Sequence, residues 1–137
     1  MPNQKPSQVI EFVESLMEIE NLSFDGFFAN WPRKPKTDLK EILKNSSHFV
    51  VAKKDRRAVG FIYCLSDNMI SAYIPLLEVL PEFQGQGIGK KLLQKILKKL
   101  ANMYMVDVIC DEDLNSFYQK EGFQKYNGCI IRNRDKL

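Results

Sequence analysis

The chain has 137 residues, of which 45% are hydrophobic and 27% charged, so we expect a single globular domain spanning residues 1–137. The formal net charge of +3 is too small to indicate a nucleic-acid-binding protein, because 17 acidic residues nearly balance 20 basic ones. No apolar run approaches the ~20 residues that a membrane span needs, and the opening MPNQKPSQ lacks the apolar core of a signal peptide. Neither a nucleic acid nor a membrane is therefore expected as a partner.

The three cysteines, Cys64, Cys110 and Cys129, lie far apart. Their odd number argues against a disulfide framework, and their spacing matches no metal-ligand pattern. Cys64 and Cys110 stand inside apolar runs, where buried reduced thiols are common. We therefore expect a reduced, cytoplasmic protein without a bound metal.

The first third of the chain predicts two helices joined by an aromatic loop. Ser7 is a suitable cap for a helix whose apolar residues recur at helical spacing: Val9, Ile10, Val13, Leu16 and Met17. Residues 21–37 mix aromatic side chains with Gly26 and two prolines, which indicates a loop. A second short helix then follows a cap at Thr37 or Asp38. No strand is predicted before the first helix.

The rest of the chain alternates between strand and helix patterns. Taken in order, these are a β-hairpin from residues 48–54 and 58–67, a third strand from about 70 to 80 that contains Pro75, a helix through Leu92 to Leu100, a strand over 104–110, a short helix from Asp111 or Asp113 to a Gly122 cap, and a last strand over 128–133. This order predicts a mixed α/β domain.

The stretch VLPEFQGQGIGKKL, residues 79–92, places Gly85, Gly87 and Gly89 directly before two lysines at a predicted helix start. Lysine in a first helical turn opposes the positive end of the helix dipole by roughly 0.3–1 kcal/mol. Glycines at alternate positions allow several backbone N–H groups to face one anion. The stretch therefore indicates an anionic ligand at the helix N-terminus.

Two common phosphate loops do not fit this stretch. A Walker loop needs four residues between its first glycine and Gly-Lys, followed by Ser or Thr, whereas Gly85 lies one residue too close to Gly89 and a lysine follows Lys90. The dinucleotide fingerprint needs G-x-G-x-x-G, whereas this loop reads G-x-G-x-G. Both readings fail.

The stretch instead resembles the pyrophosphate loop of the GNAT superfamily of acyl-CoA-dependent N-acyltransferases. That loop reads Gln/Arg-x-x-Gly-x-Gly/Ala, which Gln84, Gly87 and Gly89 match after a V-x-P at residues 79–81. A second signature, an aromatic-Tyr pair before Gly-Phe, appears as FYQKEGF at residues 117–123. The resemblance covers roughly residues 48–132. Many relatives open with a β-strand before the first helix, so the front edge of the sheet is expected to be trimmed here. It implies an α/β (α+β) fold whose mixed central sheet is splayed at the acyl-CoA cleft and flanked by helices.

The resemblance also implies acetyl-CoA as a co-substrate, with no metal. Backbone N–H groups of the loop would hold the pyrophosphate, and the strand before it would bind the pantetheine arm through its main chain. The positions carried over for cofactor binding are Leu77, Glu78, Val79, Gln84, Gly85, Gln86, Gly87, Ile88, Gly89, Lys90, Leu114, Asn115, Phe117 and Tyr118. Lys95, Lys98 and Lys99 fall opposite the leucines of their helix and are interpreted as a solvated face.

Tyr118 occupies the position of the family's usual general acid, which protonates the leaving thiolate; the alternative is a packed aromatic with a hydrogen-bonded hydroxyl. Glu78 is the candidate general base, because it is an ionisable residue in an otherwise apolar strand. Its alternative is a carboxylate that faces solvent or pairs with a lysine. Phe28 and Trp31 are candidates for contacting the acceptor, although aromatics in this loop could equally form its core.

The leading hypothesis is an N-acetyltransferase that moves the acetyl group of acetyl-CoA directly to a primary amine of a small molecule or peptide. The loop QGQG and the stretch CDEDLNSFY are also locally similar to glucosamine-phosphate acetyltransferases, which the N-terminal half does not support. The alternative from another class is a non-catalytic acyl-CoA sensor, against which the presence of Tyr118 argues. Assembly as a homodimer stays open.

Overall fold

A five-stranded sheet forms the centre of the computed structural model, which describes residues 9–137. The strands are β1 (Glu11–Val13), β2 (His48–Lys54), β3 (Arg57–Ser66), β4 (Ser71–Val79) and β5 (Met105–Val108), and they lie in chain order across the sheet. β1 to β4 are antiparallel, and β5 joins β4 in parallel. The helices are α1 (Leu16–Ile19), α2 (Leu39–Lys44), α3 (Ile88–Lys99) and α4 (Asn115–Gln119), with 3-10 turns at Pro81–Phe83, Glu112–Leu114 and Arg134–Lys136.

The predicted mixed α/β fold is confirmed, and from β2 to α4 its elements form in the predicted order. The hairpin, the third strand and the long helix all form close to their predicted positions, and Asp38 caps α2 by accepting the Lys40 N–H at 3.1 Å. α3 is amphipathic and packs on β2, β3 and β4. Its buried face consists of Ile88, Leu92, Leu93 and Ile96. The hydrophobic effect of this face holds the N-terminus of α3 at a fixed place beside the end of β4.

The N-terminal helix prediction is wrong for residues 11–13. These residues form β1, which pairs with β2 through Glu11↔Lys53 and Val13↔Val51. Only α1 remains of the helix, and Ser15 caps it by accepting the Glu18 N–H at 3.3 Å. The free edge of β2 offers hydrogen bonds that the helical spacing could not reveal, so tertiary pairing overrides the local pattern. The sheet edge is thus not trimmed, and the predicted cap Ser7 lies outside the described residues.

The last predicted strand, residues 128–133, does not form either. The chain has no regular secondary structure and is exposed there, and β5 is the edge of the sheet among the described residues. The sequence pattern is strand-like, but a strand needs a neighbour that accepts its hydrogen bonds. Within this chain the segment lies where no such neighbour is available.

Pro75 determines where the sheet splays. β4 and β5 pair only from Ser71↔Met105 to Ile74↔Val108, and the next residue of β4 is this proline. The register between β3 and β4 shifts opposite Pro75, between Tyr63 and Leu65, so this proline lies at a bulge where β4 bends away from β5. β4 nevertheless continues to Val79 along β3. Residues 76–79 therefore have one backbone edge without a strand beside it, which confirms the predicted splay between β4 and β5.

Candidate active site

The glycine loop lies between the end of β4 and the first turn of α3. Gly85 and Gly87 have left-handed backbones, with φ of 77° and 80°, and a Cβ built on either would meet nothing within 4 Å. Gly87 is also the N-cap of α3 and supplies no side chain to the cap. The loop therefore presents backbone N–H groups and the positive end of a 12-residue helix to open space, which suits an anion.

Side chains around the loop hold its shape. The Gln84 amide donates to the Val79 carbonyl at 2.9 Å, so this motif residue ties the loop to β4. Arg57 pairs with Glu82 at 2.8 Å just before the loop. Lys90 and Lys91 are exposed in the first turn of α3. Gly85 and Gly87 form an open backbone cradle at the positive end of α3. The two lysines beside it create a local excess of positive charge.

The three lysines predicted to form a solvated face differ in their contacts. Lys98 is exposed as expected. Lys95 lies 5.3 Å from the centre of the Phe12 ring, and Lys99 pairs with Glu14 at 2.8 Å. Both therefore contact β1 and its flank, which connects α3 to the strand that the helical spacing did not predict.

Tyr118 is buried, with 6% of the residue's surface exposed. It packs edge-on against Phe117 at 5.0 Å and Phe123 at 5.5 Å. Burial raises the pKa of Tyr118 to about 12, with a smaller contribution from Cys110 nearby. No hydrogen bond of its hydroxyl occurs within residues 9–137, and no fully buried polar side-chain atom there lacks a partner, so the oxygen reaches solvent. A protonated phenol in this setting can donate a proton to a group that enters the cleft.

The C-terminus of α4 explains how Tyr118 is fixed. Gly122 has a φ of 99°, and the Phe123 N–H donates to the Tyr118 carbonyl at 3.2 Å, which closes the predicted left-handed cap. Phe123 is thereby turned back onto the Tyr118 ring. The second signature is thus a local structure that immobilises the tyrosine.

The other predicted site residues near Tyr118 have different surroundings. Asn115 begins α4 and accepts a hydrogen bond at 3.5 Å from the thiol of Cys110, two residues after the end of β5. Phe117 approaches the loop, because a Cβ on Gly89 would lie 3.7 Å from its ring. Leu114 is exposed at the end of the preceding 3-10 turn. Sequence reasoning missed the role of Cys110, whose only signal was its position five residues before Asn115.

Glu78 points away from α3. Its neighbour Val79 faces the helix, since Cβ atoms on Gly60 and Gly89 would lie 3.3 Å and 3.8 Å from its side chain. Strand alternation therefore puts Glu78 on the opposite face, with Phe61 beside it in β3. There the Glu78 carboxylate accepts the backbone N–H of Phe28 at 2.9 Å. Burial raises the pKa of Glu78, and the hydrogen bond from Phe28 partly opposes this.

The aromatic loop covers the same face of the sheet. Phe27 and Phe28 are buried, and both pack on Phe61, with ring centres 5.1 Å and 6.2 Å away. Trp31 is partly exposed and contacts Phe28 edge-on at 5.0 Å. Phe28 has a left-handed backbone, with φ of 64°, which aims its N–H at Glu78. This contact between Phe28 and Glu78 was not predicted, because it joins residues 50 positions apart in the sequence.

The described residues contain neither a group of potential metal ligands nor a helix suited to a membrane. Within residues 9–137, no three side chains of His, Cys, Asp or Glu converge on a point where a metal ion could bind. In the same range, no helix combines the length and the apolar composition that crossing a membrane requires.

Comparison with known proteins relates this geometry to one family. The profile of the Acetyltransferase (GNAT) family matches residues 14–123. A candidate acetyltransferase from Deinococcus radiodurans R1, known from its crystal structure, is 34% identical, with a TM-score of 0.86 over 98% of this chain and 95% of that one.

Two relatives in sequence carry acetyltransferase names. "Uncharacterized N-acetyltransferase ycf52" of Pyropia yezoensis is 34% identical over 117 residues, which are 81% of this chain and 66% of the relative. "Histone acetyltransferase TAP1" of Glycine max is 31% identical over 109 residues, 70% of this chain and 47% of the relative. The chain thus spans from about half to just under two thirds of these relatives. The family match over most of the chain shows that it belongs to the GNAT family of acetyltransferases.

Proposed function

We propose that this protein is an N-acetyltransferase that transfers the acetyl group of acetyl-CoA directly to a primary amine of a small molecule or peptide. The observation that carries the proposal is the open glycine cradle at the start of α3, next to the point where β4 diverges from β5. An acyl-CoA has the two parts that this arrangement suits: an anionic pyrophosphate and a pantetheine arm with amide groups.

The residues at the cradle fit a pyrophosphate. Gly85 and Gly87 leave free space where side chains would otherwise project, and the N–H groups from Gly85 to Lys90 lie around the helix start. Cofactor contacts by Gln86, Ile88 and Gly89 follow from the same run of backbone. Beyond the loop, β4 has no strand on its β5 side at Leu77, Glu78 and Val79. Backbone groups that face this side are available to the pantetheine amides, except the Val79 carbonyl, which accepts from Gln84.

The chain's own residues supply the two proton transfers that amide formation requires. Acetyl-CoA supplies a thioester whose carbonyl carbon gains a bond to the amine nitrogen as its bond to sulfur breaks. Glu78 takes the proton from the amine, directly or through water, since its raised pKa makes it a better base than an exposed carboxylate. Tyr118 gives its proton to the departing sulfur. A backbone N–H near the end of β4 stabilises the negative charge on the carbonyl oxygen.

The acceptor approaches from the face that the aromatic loop covers. Glu78 points to this face, and the partly exposed Trp31 provides an aromatic surface next to Phe28. A cationic amine would be attracted to such a surface before it loses its proton. Since one relative is named a histone acetyltransferase, a peptide lysine belongs in the set of acceptors to be tested.

The test is calorimetric titration of the purified chain with acetyl-CoA and CoA, followed by a thiol-release assay with a panel of amines. The panel comprises polyamines, amino sugars, amino acids, and peptides with a free lysine or N-terminus. Binding together with release of CoA for one class of amine supports the proposal and identifies the acceptor. No binding contradicts the cofactor site, and binding without release across the panel favours an acyl-CoA sensor.

We also propose that the protein works in a reducing compartment, the cytoplasm. Cys64, Cys110 and Cys129 are all free, and Cys64 is buried, as expected of thiols that are not needed for cross-links. Fractionation of cells that express the chain with a tag would test this location.

A further inference from the structure

The sheet face that bears Glu78 extends well beyond this residue. Phe61 of β3 is the direct neighbour of Glu78, and strand alternation places Leu65 on the same face as Phe61. Leu65 in turn neighbours Tyr73, close to the start of β4. The face that carries the proposed base therefore continues along β4 as far as Tyr73.

β5 widens this face by one further strand. Tyr73 and Asp107 are neighbours in the parallel ladder, so their side chains lie on the same face, and Met105 follows by alternation. Leu65, Tyr73 and Met105 are 46%, 36% and 40% exposed, although they lie on three neighbouring strands in the middle and at the edge of a sheet. We name these three residues the apolar patch.

More apolar side chains are exposed around the apolar patch. Met69 and Ile70 lie in the turn between β3 and β4, and Tyr104 directly precedes β5. The Met105 N–H donates to the Ile70 carbonyl at 2.9 Å, so this turn lies against the start of β5. A single exposed apolar side chain is ordinary, but a contiguous group of them is typical of a binding surface.

A strip of partly exposed residues connects the apolar patch to the proposed base. Leu76 shares the face of Glu78, because the two are separated by two positions in β4, and both are partly exposed. Glu78 and Tyr73 are five positions apart in β4, which corresponds to roughly 16 Å of strand. The apolar patch is thus continuous with the candidate active site and lies at a distance that an extended ligand covers.

This distance separates the possible acceptors. An amino acid or amino sugar held at Glu78 is too short to reach the apolar patch. A polyamine is long enough, but it would place cations against three apolar side chains. An extended peptide advances about 3.3–3.6 Å per residue, so it covers the span in about five residues, and in fewer where a lysine side chain supplies part of the length.

Asp107 gives the apolar patch a negative border. Its side chain is exposed beside Tyr73, and no ion pair of Asp107 occurs within residues 9–137. An acidic residue of a ligand would be repelled there, whereas a neutral or basic one would be accepted.

We propose that the acceptor is a peptide or protein segment with an apolar side chain three to five residues from the acetylated amine, and that this side chain packs on Leu65, Tyr73 and Met105. The inference rests on the proposed function, because it names the acceptor class of the same site. The apolar patch supplies binding and takes no part in the proton transfers. Leucine, isoleucine, methionine and phenylalanine all suit it, since the hydrophobic effect is not directional.

The test compares peptides of about twelve residues, long enough to cover the span, that differ in the position of one leucine in an alanine and serine background. One set has a single lysine and a blocked N-terminus, and the other has a free N-terminus and no lysine, which separates the two sources of amine. Thiol release at saturating acetyl-CoA measures kcat and KM. Leucine at offsets three to five should raise kcat/KM at least about 10-fold over the leucine-free peptide, mainly through KM.

Variants of the apolar patch assign this preference to its residues. Tyr73→Ser and Met105→Ser should each lower the ratio of kcat/KM between the leucine and leucine-free peptides to about 2 or less. The ratio is taken within one preparation, so partial unfolding of a variant cannot imitate the effect. Ile131→Ser is the matched control, because Ile131 is 84% exposed but lies outside the apolar patch, and it should keep the full ratio.

Three results would overturn this inference and leave the acetyltransferase function intact. The first is acetylation of the peptides at one rate wherever the leucine stands. The second is a polyamine, amino sugar or amino acid that is acetylated more efficiently than every peptide. The third is a dimer in light scattering that Tyr73→Ser converts to a monomer, because a second copy would then cover the apolar patch.

Failure of the proposed function would look different. Acetyl-CoA would bind, but no amine of any class would release CoA, and the inference would fall together with the function.

Discussion

At the scale of single residues, burial decides the protonation of Tyr118. An apolar surrounding disfavours the phenolate, which is why the pKa of Tyr118 is raised to about 12. The group therefore stays protonated throughout the physiological range, as a general acid must. The sign of the linkage is also fixed: its contribution to stability is present below pH 10 and is lost as the pH rises towards 12.

Replacing Tyr118 with Phe removes the proton donor and keeps the packed ring. We expect kcat to fall by roughly 10²–10⁴-fold, the usual value of a positioned general acid, while the affinity for CoA changes little. Steady-state kinetics and calorimetry on the same preparation measure the two quantities. Tyr104→Phe is the control, since that side chain is 87% exposed. Equal turnover in Tyr118→Phe and the unaltered chain would remove Tyr118 from the mechanism.

Burial also shifts the pKa of Glu78, but the proposed role of Glu78 needs the deprotonated form, whereas that of Tyr118 needs the protonated form. Burial raises the pKa of Glu78, and a base must be deprotonated to act. The acidic limb of kcat/KM against pH is therefore expected above the range of an ordinary carboxylate, with activity rising as the pH increases.

Glu78→Gln should abolish that limb and lower kcat/KM by roughly 10²-fold or more. Glutamine keeps an oxygen for the Phe28 N–H, so the loop contact is retained. Because the folded pKa is raised, the stabilising contribution of Glu78 is lost as pH rises through it, and the variant should be at least as stable at pH 7. Exposed Glu20→Gln is the control. An unchanged pH profile in Glu78→Gln would exclude Glu78 as the base.

At the scale of elements, the loop between β4 and α3 depends on backbone conformation more than on side chains. Gly87 has a φ of 80°, which costs other residues roughly 1–2 kcal/mol. Its missing Cβ also leaves open the space into which an anion would fit. Gly87→Val should therefore weaken CoA binding by at least ~100-fold, measured by calorimetry, through loss of the backbone donors.

The variant Gly122→Val is a control for backbone strain, because it introduces a strain similar to that of Gly87→Val at a place outside the glycine cradle. Gly122 has a similar φ of 99° and equally free space at its Cβ position, but it ends α4 instead of beginning α3. We expect a comparable loss of stability and a CoA affinity within a few-fold of the unaltered chain. If both variants lost CoA binding equally, the cradle would not be the specific site.

At the scale of the whole molecule, the cofactor should act as a stabiliser, because the cradle and the splay exist only in the folded chain. Acetyl-CoA at 100 times its Kd would add about 2.7 kcal/mol to the free energy of unfolding. For a domain of this size that corresponds to a rise in Tm of roughly 8 °C. Thermal unfolding followed by intrinsic fluorescence measures the shift. Gly87→Val should show almost none at the same concentration, and a flat response of the unaltered chain would argue against the cofactor.

Much of the fold and the form of the glycine loop in the candidate site could be predicted from local patterns. The glycine run, the apolar face of α3 and the Gly122 cap each depend on residues close together in the chain. Periodicity and backbone preference act over a few residues, so they can be recognised in a sequence. Pro75 also indicated an interruption in the predicted strand over 70–80, and the strand over 104–110 that pairs with it was predicted as well.

Tertiary structure alone decided the contacts between distant segments. β1 formed in place of helix because β2 offered a free edge, and the Phe28 N–H reached Glu78 because the aromatic loop packs on Phe61. Residues 128–133 stayed unpaired although their pattern is that of a strand. A hydrogen bond across a sheet depends on which surface is free nearby, and that is a property of the assembled fold. The sequence by itself therefore determined the local elements and the glycine loop, and only the fold decided which segments lie beside each of them.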